Sequence, residues 1–256
     1  MGTVLFSKFK LKGEICIMNS YWVETTGTTN YPKVNKDIET EVCIIGGGIT
    51  GIATAYLLSK ESNLDITILE ADKMALGVTA KTTAKITSQH GLLYDYLLNS
   101  FGKGTMQAYL ESNEEAIKLI ENIVATENIE CDFCKEDAFV YTCEEDNDEK
   151  IRKEVEALKT IGFDAEYVTE TPLPFKVVSA VKFKNQAQFH SRKYLLSLLK
   201  ALEKVKVNLY ENSKVVDIKH KSGIYEVHVN DCIVRCKYLV LATHYPIKNF
   251  PRYAFY

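Results

Sequence analysis

Glu41-Val-Cys-Ile-Ile-Gly46-Gly-Gly48-Ile-Thr-Gly51-Ile-Ala-Thr-Ala-Tyr56-Leu57 decides the fold. Val42–Ile45 is a short β-branched run, which predicts a strand. Three glycines follow at once, and then Ile49, Ile52, Ala53, Tyr56 and Leu57 repeat at helical spacing. Asn63 breaks that pattern. Ile66–Leu69 is a second β-type run, and it ends in Glu70. Strand, tight turn, helix and strand in about 30 residues make the unit that a dinucleotide-binding fold requires. Within it, Gly46-x-Gly48-x-x-Gly51 assigns each glycine a task. The first permits a tight turn out of the strand, the second lets a pyrophosphate approach the backbone, and the third lets helix and strand pack closely. The phosphate would sit on the helix N-terminus, where free N–H groups and the positive dipole end meet negative charge. Glu70 lies nineteen residues beyond Gly51, where a carboxylate can accept hydrogen bonds from a ribose diol. The unit alone does not choose between FAD and NAD.

Outward from that unit, helical faces run from Leu92 to Ile129, with Gly102 and Gly104 marking a break. Ala138–Thr142, Ala165–Val168 and Ala180–Phe183 read as strands, Glu144–Ile161 and Ser191–Leu202 as helices. The last stretch reads as four strands, Val207–Tyr210, Lys214–His220, Tyr225–Asn230 and Cys232–Leu241, in the manner of an antiparallel meander. The 256 residues carry 31 Lys plus Arg and 34 Asp plus Glu, a formal charge of −3. That balance argues against a nucleic-acid partner, which needs a concentrated basic surface. No apolar run approaches the roughly 20 residues of a membrane span, and no secretory signal is visible. Seven cysteines, an odd number, suit reduced thiols in a cytoplasmic protein. Lys12-Gly13-Glu14 is what a ribosome-binding sequence would encode ahead of Met18, so Met18 is the expected native start and Met1–Ile17 is expected to be loosely packed.

Gly77-Val-Thr-Ala-Lys-Thr-Thr-Ala-Lys-Ile-Thr-Ser-Gln-His-Gly91 is rich in hydroxyls and small residues, suited to phosphate and flavin oxygens and to a flat ring lying close. His90 falls inside it as a candidate cofactor contact. Cys131-x-x-Cys134 has no second pair at metal-ligand spacing, so both read as structural thiols, as do Cys232 and Cys236. His190, His220 and His228 read as structural or surface residues. No metal site is expected.

GGGITG, Glu70, the 77–91 stretch and Tyr238-Leu-Val-Leu-Ala-Thr243 together resemble the D-amino-acid-oxidase or glycine-oxidase superfamily of FAD-dependent oxidoreductases. The Ser20-Tyr-Trp22 lead-in and TTAKITSQHG are similar to a bacterial branch that usually carries a C-terminal Rieske [2Fe–2S] domain. The resemblance covers about Asn19 to Pro251. It implies that Gly46, Gly48 and Gly51 hold the FAD pyrophosphate and Glu70 the adenosine ribose. Thr79, Lys81, Thr82, Thr83 and Ala84 would line the flavin side, Val216 would meet the adenine through its backbone, and Ala242 and Thr243 would close a second contact. The implied fold is α/β: a Rossmann-like FAD-binding domain with an inserted, incomplete α+β substrate domain. Residues 1–37 form an arm, 38–130 and 187–256 the two parts of the FAD-binding domain, and 131–186 a segment of the substrate domain. The implied reaction oxidises a C–N bond of a small-molecule amine or amino acid by hydride transfer to flavin N5, with no catalytic residue assignable.

Three departures stand out. His244 occupies a position where the family usually has Gly. Lys81 stands where many relatives have His, so attachment of flavin through histidine cannot occur there. No C-x-H…C-x-x-H pair is present for a Rieske cluster. Because only fifteen residues follow Leu241, the chain is expected to be an incomplete enzyme. It should hold FAD weakly or not at all, and self-associate through open edges at Ala138–Thr142 and Ala180–Phe183. The alternatives are an NAD-dependent dehydrogenase and an inactive dinucleotide-binding fragment.

Overall fold

The structure is a computed structural model, and it describes residues 10–11, 14–15, 20–205 and 207–244. A two-residue antiparallel ladder, β1 (Lys10–Leu11) with β2 (Glu14–Ile15), precedes a one-turn helix, α1 (Tyr21–Glu24). The remaining expectations for Met1–Ile17, and the residues from Tyr245 onward, lie outside the described residues. The chain divides into two units, 1–82 with 198–256, and 83–197. This division assigns residues 83–130 to the second unit, whereas the sequence reading kept 38–130 with the dinucleotide-binding part. The difference arises because the long helix that follows residue 93 packs on the smaller sheet.

The first unit is built on β3 (Ile38–Ile45), α2 (Ile49–Glu61) and β4 (Ile66–Leu69). Its six-stranded sheet also holds β9 (Val207–Tyr210), β10 (Val215–Lys221), β11 (Ile224–Val229) and β12 (Cys232–Leu241), in the order β10-β11-β12-β3-β4-β9. β12, β3, β4 and β9 run parallel, while β10 and β11 extend the sheet antiparallel from β12. The expected four-strand meander is therefore three strands. Val207–Tyr210 instead crosses to the far edge and pairs with β4. All four residues of β4 are buried, as befits a strand with neighbours on both sides in a covered parallel sheet. One core cluster packs Val34, Cys43, Ile45, Leu69, Val227, Val229 and Val234. Each such side chain contributes roughly 1.5–3 kcal/mol by leaving water. Among the described residues no helix is long and apolar enough to cross a membrane.

The second unit carries a short strand, β5 (Lys85–Ile86), then α3 (Tyr94–Thr126), β6 (Cys134–Thr142), α4 (Asp148–Lys159), β7 (Ala165–Val168) and β8 (Ser179–Gln188). α5 (Ser191–Leu202) begins here and ends in the first unit. α3 is interrupted at Gly102, with φ 82° and ψ 167°, the expected break. β8 pairs with β6 and also with β5 and β7. The expectation that Ala180–Phe183 presents an open edge is thus corrected, since β8 is the central strand. Its Val181 and Phe183 pack with Tyr94, Met106, Ile151, Val155 and Leu158.

Glu154 of α4 is fully buried. Its carboxylate accepts from Leu93 N (2.8 Å), Tyr94 N (2.9 Å) and Asp95 N (2.9 Å), the first donors of α3. It supplies from another element the cap that α3 lacks. Burial pushes its pKa up, against the three N–H bonds that pull it down. Glu154→Ala should cost about 1.5–3 kcal/mol, the range for hydrogen bonds to a charged group. Urea unfolding followed by amide exchange in α3 checks this.

Candidate functional site

β3 pairs with β12 on one side and β4 on the other, all parallel, so the chain reverses its direction of travel across the sheet at β3. Ligands of such sheets bind beyond the carboxyl ends of the strands at that switch. Here those ends carry Gly46, Glu70 and Ala242. Gly46 N donates to Leu69 O (2.8 Å), and Ala242 N donates to Ile45 O (2.8 Å). Gly46 has φ +113°, and a Cβ there would lie 2.5 Å from the Ala242 carbonyl oxygen. A Cβ on Gly51 would run into the carbonyl oxygen of Gly46. The turn thus needs glycine at both places, one for its dihedral and the other for helix-on-turn contact.

Gly48 differs. It is the N-cap of α2, extended at φ −86° and ψ −169°, and supplies no side-chain cap. A Cβ there would meet only the Thr79 hydroxyl, at 3.3 Å. Thr79, buried, accepts from Ile49 N at 3.1 Å and so sits at the helix N-terminus. Glu70 accepts from Gly47 N (2.7 Å) and Asp72 N (2.9 Å), which holds its carboxylate against the glycine turn. A helix N-terminus approached by one side chain, the Thr79 hydroxyl, with a carboxylate at the end of the next strand, fits a pyrophosphate and a ribose diol. Gly46, Gly48, Gly51, Glu70, Thr79 and Ala242 are therefore brought together on the first unit.

The rest of the expected set is more scattered. Lys81, Thr82 and Thr83 are exposed, and Ala84 is buried in the left-handed region at φ 57°. Thr82 and Lys81 close the first unit, whereas Thr83 and Ala84 open the second. Val216 lies at a register shift in β10 and is 62% exposed, with its backbone at the edge of the sheet. Trp22, given no role by the sequence reading, donates its indole N–H to Thr82 O at 2.8 Å. His190 caps α5 with its ring Nδ1 accepting from Lys193 N (3.2 Å), and its backbone N–H donates to Cys131 O (2.6 Å). Among the described residues the cysteines are free, and no group of three metal-ligating side chains forms.

Glu211 was missed altogether. It follows β9, is fully buried, and accepts from Lys73 Nζ (2.8 Å), Met74 N (2.8 Å), Tyr31 N (3.1 Å) and the Thr29 hydroxyl. It ties the segment before β3 to the segment after Glu70. Met74 packs over the turn, since a Cβ on Gly47 would run into its sulfur. Burial raises the Glu211 pKa, but Lys73 and the other donors outweigh it and hold the carboxyl below the ordinary glutamate range. The stability this group contributes is present above the unfolded pKa, about 4.3, and is lost as pH falls through the depressed folded value. The first unit should therefore weaken in acid, and Glu211→Gln should flatten that slope in pH-dependent unfolding.

This arrangement defines a dinucleotide-binding α/β protein with its cradle at the end of β3. Comparison with known proteins carries it further. Residues 41–251 match the family model for DAO, FAD dependent oxidoreductases, and the chain belongs to that family. Over 227 residues it is 35% identical to YhfW of Bacillus subtilis, which carries the name of a Rieske 2Fe-2S iron-sulfur protein, covering 89% of this chain and 44% of that one. Glycine oxidase from Geobacillus kaustophilus superposes with a TM-score of 0.66 at 18% identity, over 80% of this chain and 55% of that one. L-proline dehydrogenase from P. horikoshii gives 0.67 at 17%, over 81% and 53%. The chain spans about half the length of these relatives. The family is FAD-dependent, which decides between the two dinucleotides in favour of FAD.

Proposed function

We propose that this chain is the FAD-holding part of an oxidoreductase that oxidises a C–N bond in an amine or amino acid. The observation that carries the reading is the β3–turn–α2 cradle, with Gly48 open to a pyrophosphate and Glu70 at the end of β4. Gly46, Gly48 and Gly51 hold the pyrophosphate against the helix N-terminus. Glu70 exchanges its bonds to Gly47 and Asp72 for the ribose hydroxyls. Thr79 yields Ile49 N to the phosphate, and the stretch on to Ala84, with Lys81, Thr82 and Thr83, faces the flavin. Val216 offers its backbone to the adenine, and Ala242-Thr243 completes the contact set. When bound, FAD supplies the two-electron acceptor for a hydride leaving a C–H bond beside nitrogen. The protein's part is to bind, orient and exclude water.

Mixing the purified chain with FAD and removing free cofactor tests the reading. A retained flavin spectrum, and flavin reduction by an amine or amino acid in a version extended to the length of the relatives, is the expected result. Flavin reduction by none of a broad amine and amino-acid panel in that longer version would contradict it. Trp22→Ala should lower flavin retention by loosening Thr82, at about 1 kcal/mol for one hydrogen bond, and equilibrium titration measures the difference.

A further inference from the structure

Within the first unit, residues 70–75 loop past the glycine turn and are tied along their length to the connection between β9 and β10. Glu70 N donates to Tyr210 O (2.9 Å), Ser213 N to Glu70 O (2.8 Å) and Asn212 N to Asp72 O (3.0 Å). Glu211, in the middle of that connection, turns a fully buried carboxylate on the rest of the loop. Its Oε1 accepts from Met74 N (2.8 Å) and its Oε2 from Lys73 Nζ (2.8 Å). The Thr29 hydroxyl bonds the first of these oxygens, and Tyr31 N the second (3.1 Å). The loop then returns to the turn. Ala75 N donates to Gly47 O (2.8 Å), and the Met74 sulfur packs where a Cβ on Gly47 would stand.

Ala75 is fully buried and lies in the left-handed region at φ 55°. A residue other than glycine persists there only where its surroundings over-determine it, and such strain gathers at ligand clamps. Here the neighbouring Met74 is fully buried, with the Glu211 carboxylate behind its N–H. Glu70 gives this clamp its use. It accepts from Gly47 N at 2.7 Å, and in turning to the ribose hydroxyls it must let that N–H go. What then keeps the turn in shape is the bond from Ala75 and the Met74 sulfur, and Glu211 anchors the segment that supplies both.

We propose that Glu211 is a positioning residue for the dinucleotide: through Lys73, Met74 and Ala75 it holds Gly47 in place while Glu70 turns to the ribose, a proposal that rests on the FAD reading above. A turn already shaped costs the ligand less to bind, and supporting contacts of this kind keep a site in its productive geometry. Neither oxygen of Glu211 serves the clamp alone, since each also takes one donor from the segment before β3. An amide nitrogen cannot accept. Glu211→Gln therefore leaves the clamp one anchor short, whichever way the amide is turned.

The test titrates the chain, Glu211→Gln and Thr29→Val with ADP, which carries a pyrophosphate and an adenosine ribose without the flavin, and then with FAD. Affinities are read where circular dichroism shows each protein folded, so that a loss of stability alone does not register. Glu211→Gln should bind both ligands about fivefold more weakly, the loss of one hydrogen bond. Thr29→Val removes a donor on the other side of the same carboxylate, and should lower the unfolding midpoint with ADP affinity unchanged. In the parent chain, ADP should slow amide exchange at Met74 and Ala75, a readout that needs no variant to fold. ADP held as tightly by Glu211→Gln as by the parent, equal weakening by Thr29→Val, or exchange at Met74 and Ala75 unmoved by bound ADP would each overturn the proposal and leave the FAD reading standing. A parent chain that takes up neither ADP nor FAD overturns both.

Discussion

Glu211→Ala is expected to destabilise the first unit by about 3–5 kcal/mol, the cost of breaking a buried ion pair by removing one partner. Lys73, half-buried, would lose its counter-ion at 2.8 Å, and Met74 N, Tyr31 N and the Thr29 hydroxyl would lose their acceptor together. Those donors come from the segment before β3 and the segment after Glu70. The loss should therefore appear as cooperative loosening of both, with greater protease sensitivity near residues 29–31 and 70–75. Glu211→Gln should cost less, because it keeps one acceptor oxygen. Chemical denaturation of the two variants against the parent chain measures the difference.

Gly48→Val is expected to abolish FAD binding while sparing the fold. At φ −86° and ψ −169° the backbone is open to valine, and its Cβ would meet only the Thr79 hydroxyl at 3.3 Å. A shift of a few tenths of an ångström by Thr79 accommodates it. The β-branched side chain would then fill the space the pyrophosphate needs, weakening FAD by at least about a hundredfold, ~2.8 kcal/mol. Gly51→Val is the contrasting case. Its Cβ would run into the Gly46 carbonyl, so fold and binding should fail together. Circular dichroism beside flavin titration separates the two outcomes.

The part of the fold that local periodicity specifies was legible before any coordinates. β3, α2 and β4 follow from one β-branched run, three glycines and one helical stripe, and α5 from the apolar face of Ser191–Leu202. The elements misread are those whose place depends on remote partners. β9 looks like the first strand of a meander, yet it pairs in parallel with β4, some 140 residues earlier in the chain. β8 reads as an open edge if half the substrate domain is taken to be absent, yet its partners β5, β6 and β7 come from three separate segments of this chain. The same reasoning covers the buried acids. Glu154 sits within a run of charged residues and Glu211 within a polar turn, so each reads as solvated. Each is buried only because donors from distant segments converge on its carboxylate.

Equilibrium titration of the chain with FAD, run in parallel on Glu70→Ala, tests the central claim most directly. Glu70 holds Gly47 and Asp72 in the structure and is assigned the ribose hydroxyls. A charge-assisted bond of about 1.5–3 kcal/mol makes Glu70→Ala weaker by about one to two orders of magnitude. Saturable binding by the parent chain and that loss in the variant are the predicted results. FAD affinity unchanged by Glu70→Ala would contradict the placement of the cofactor at the end of β3.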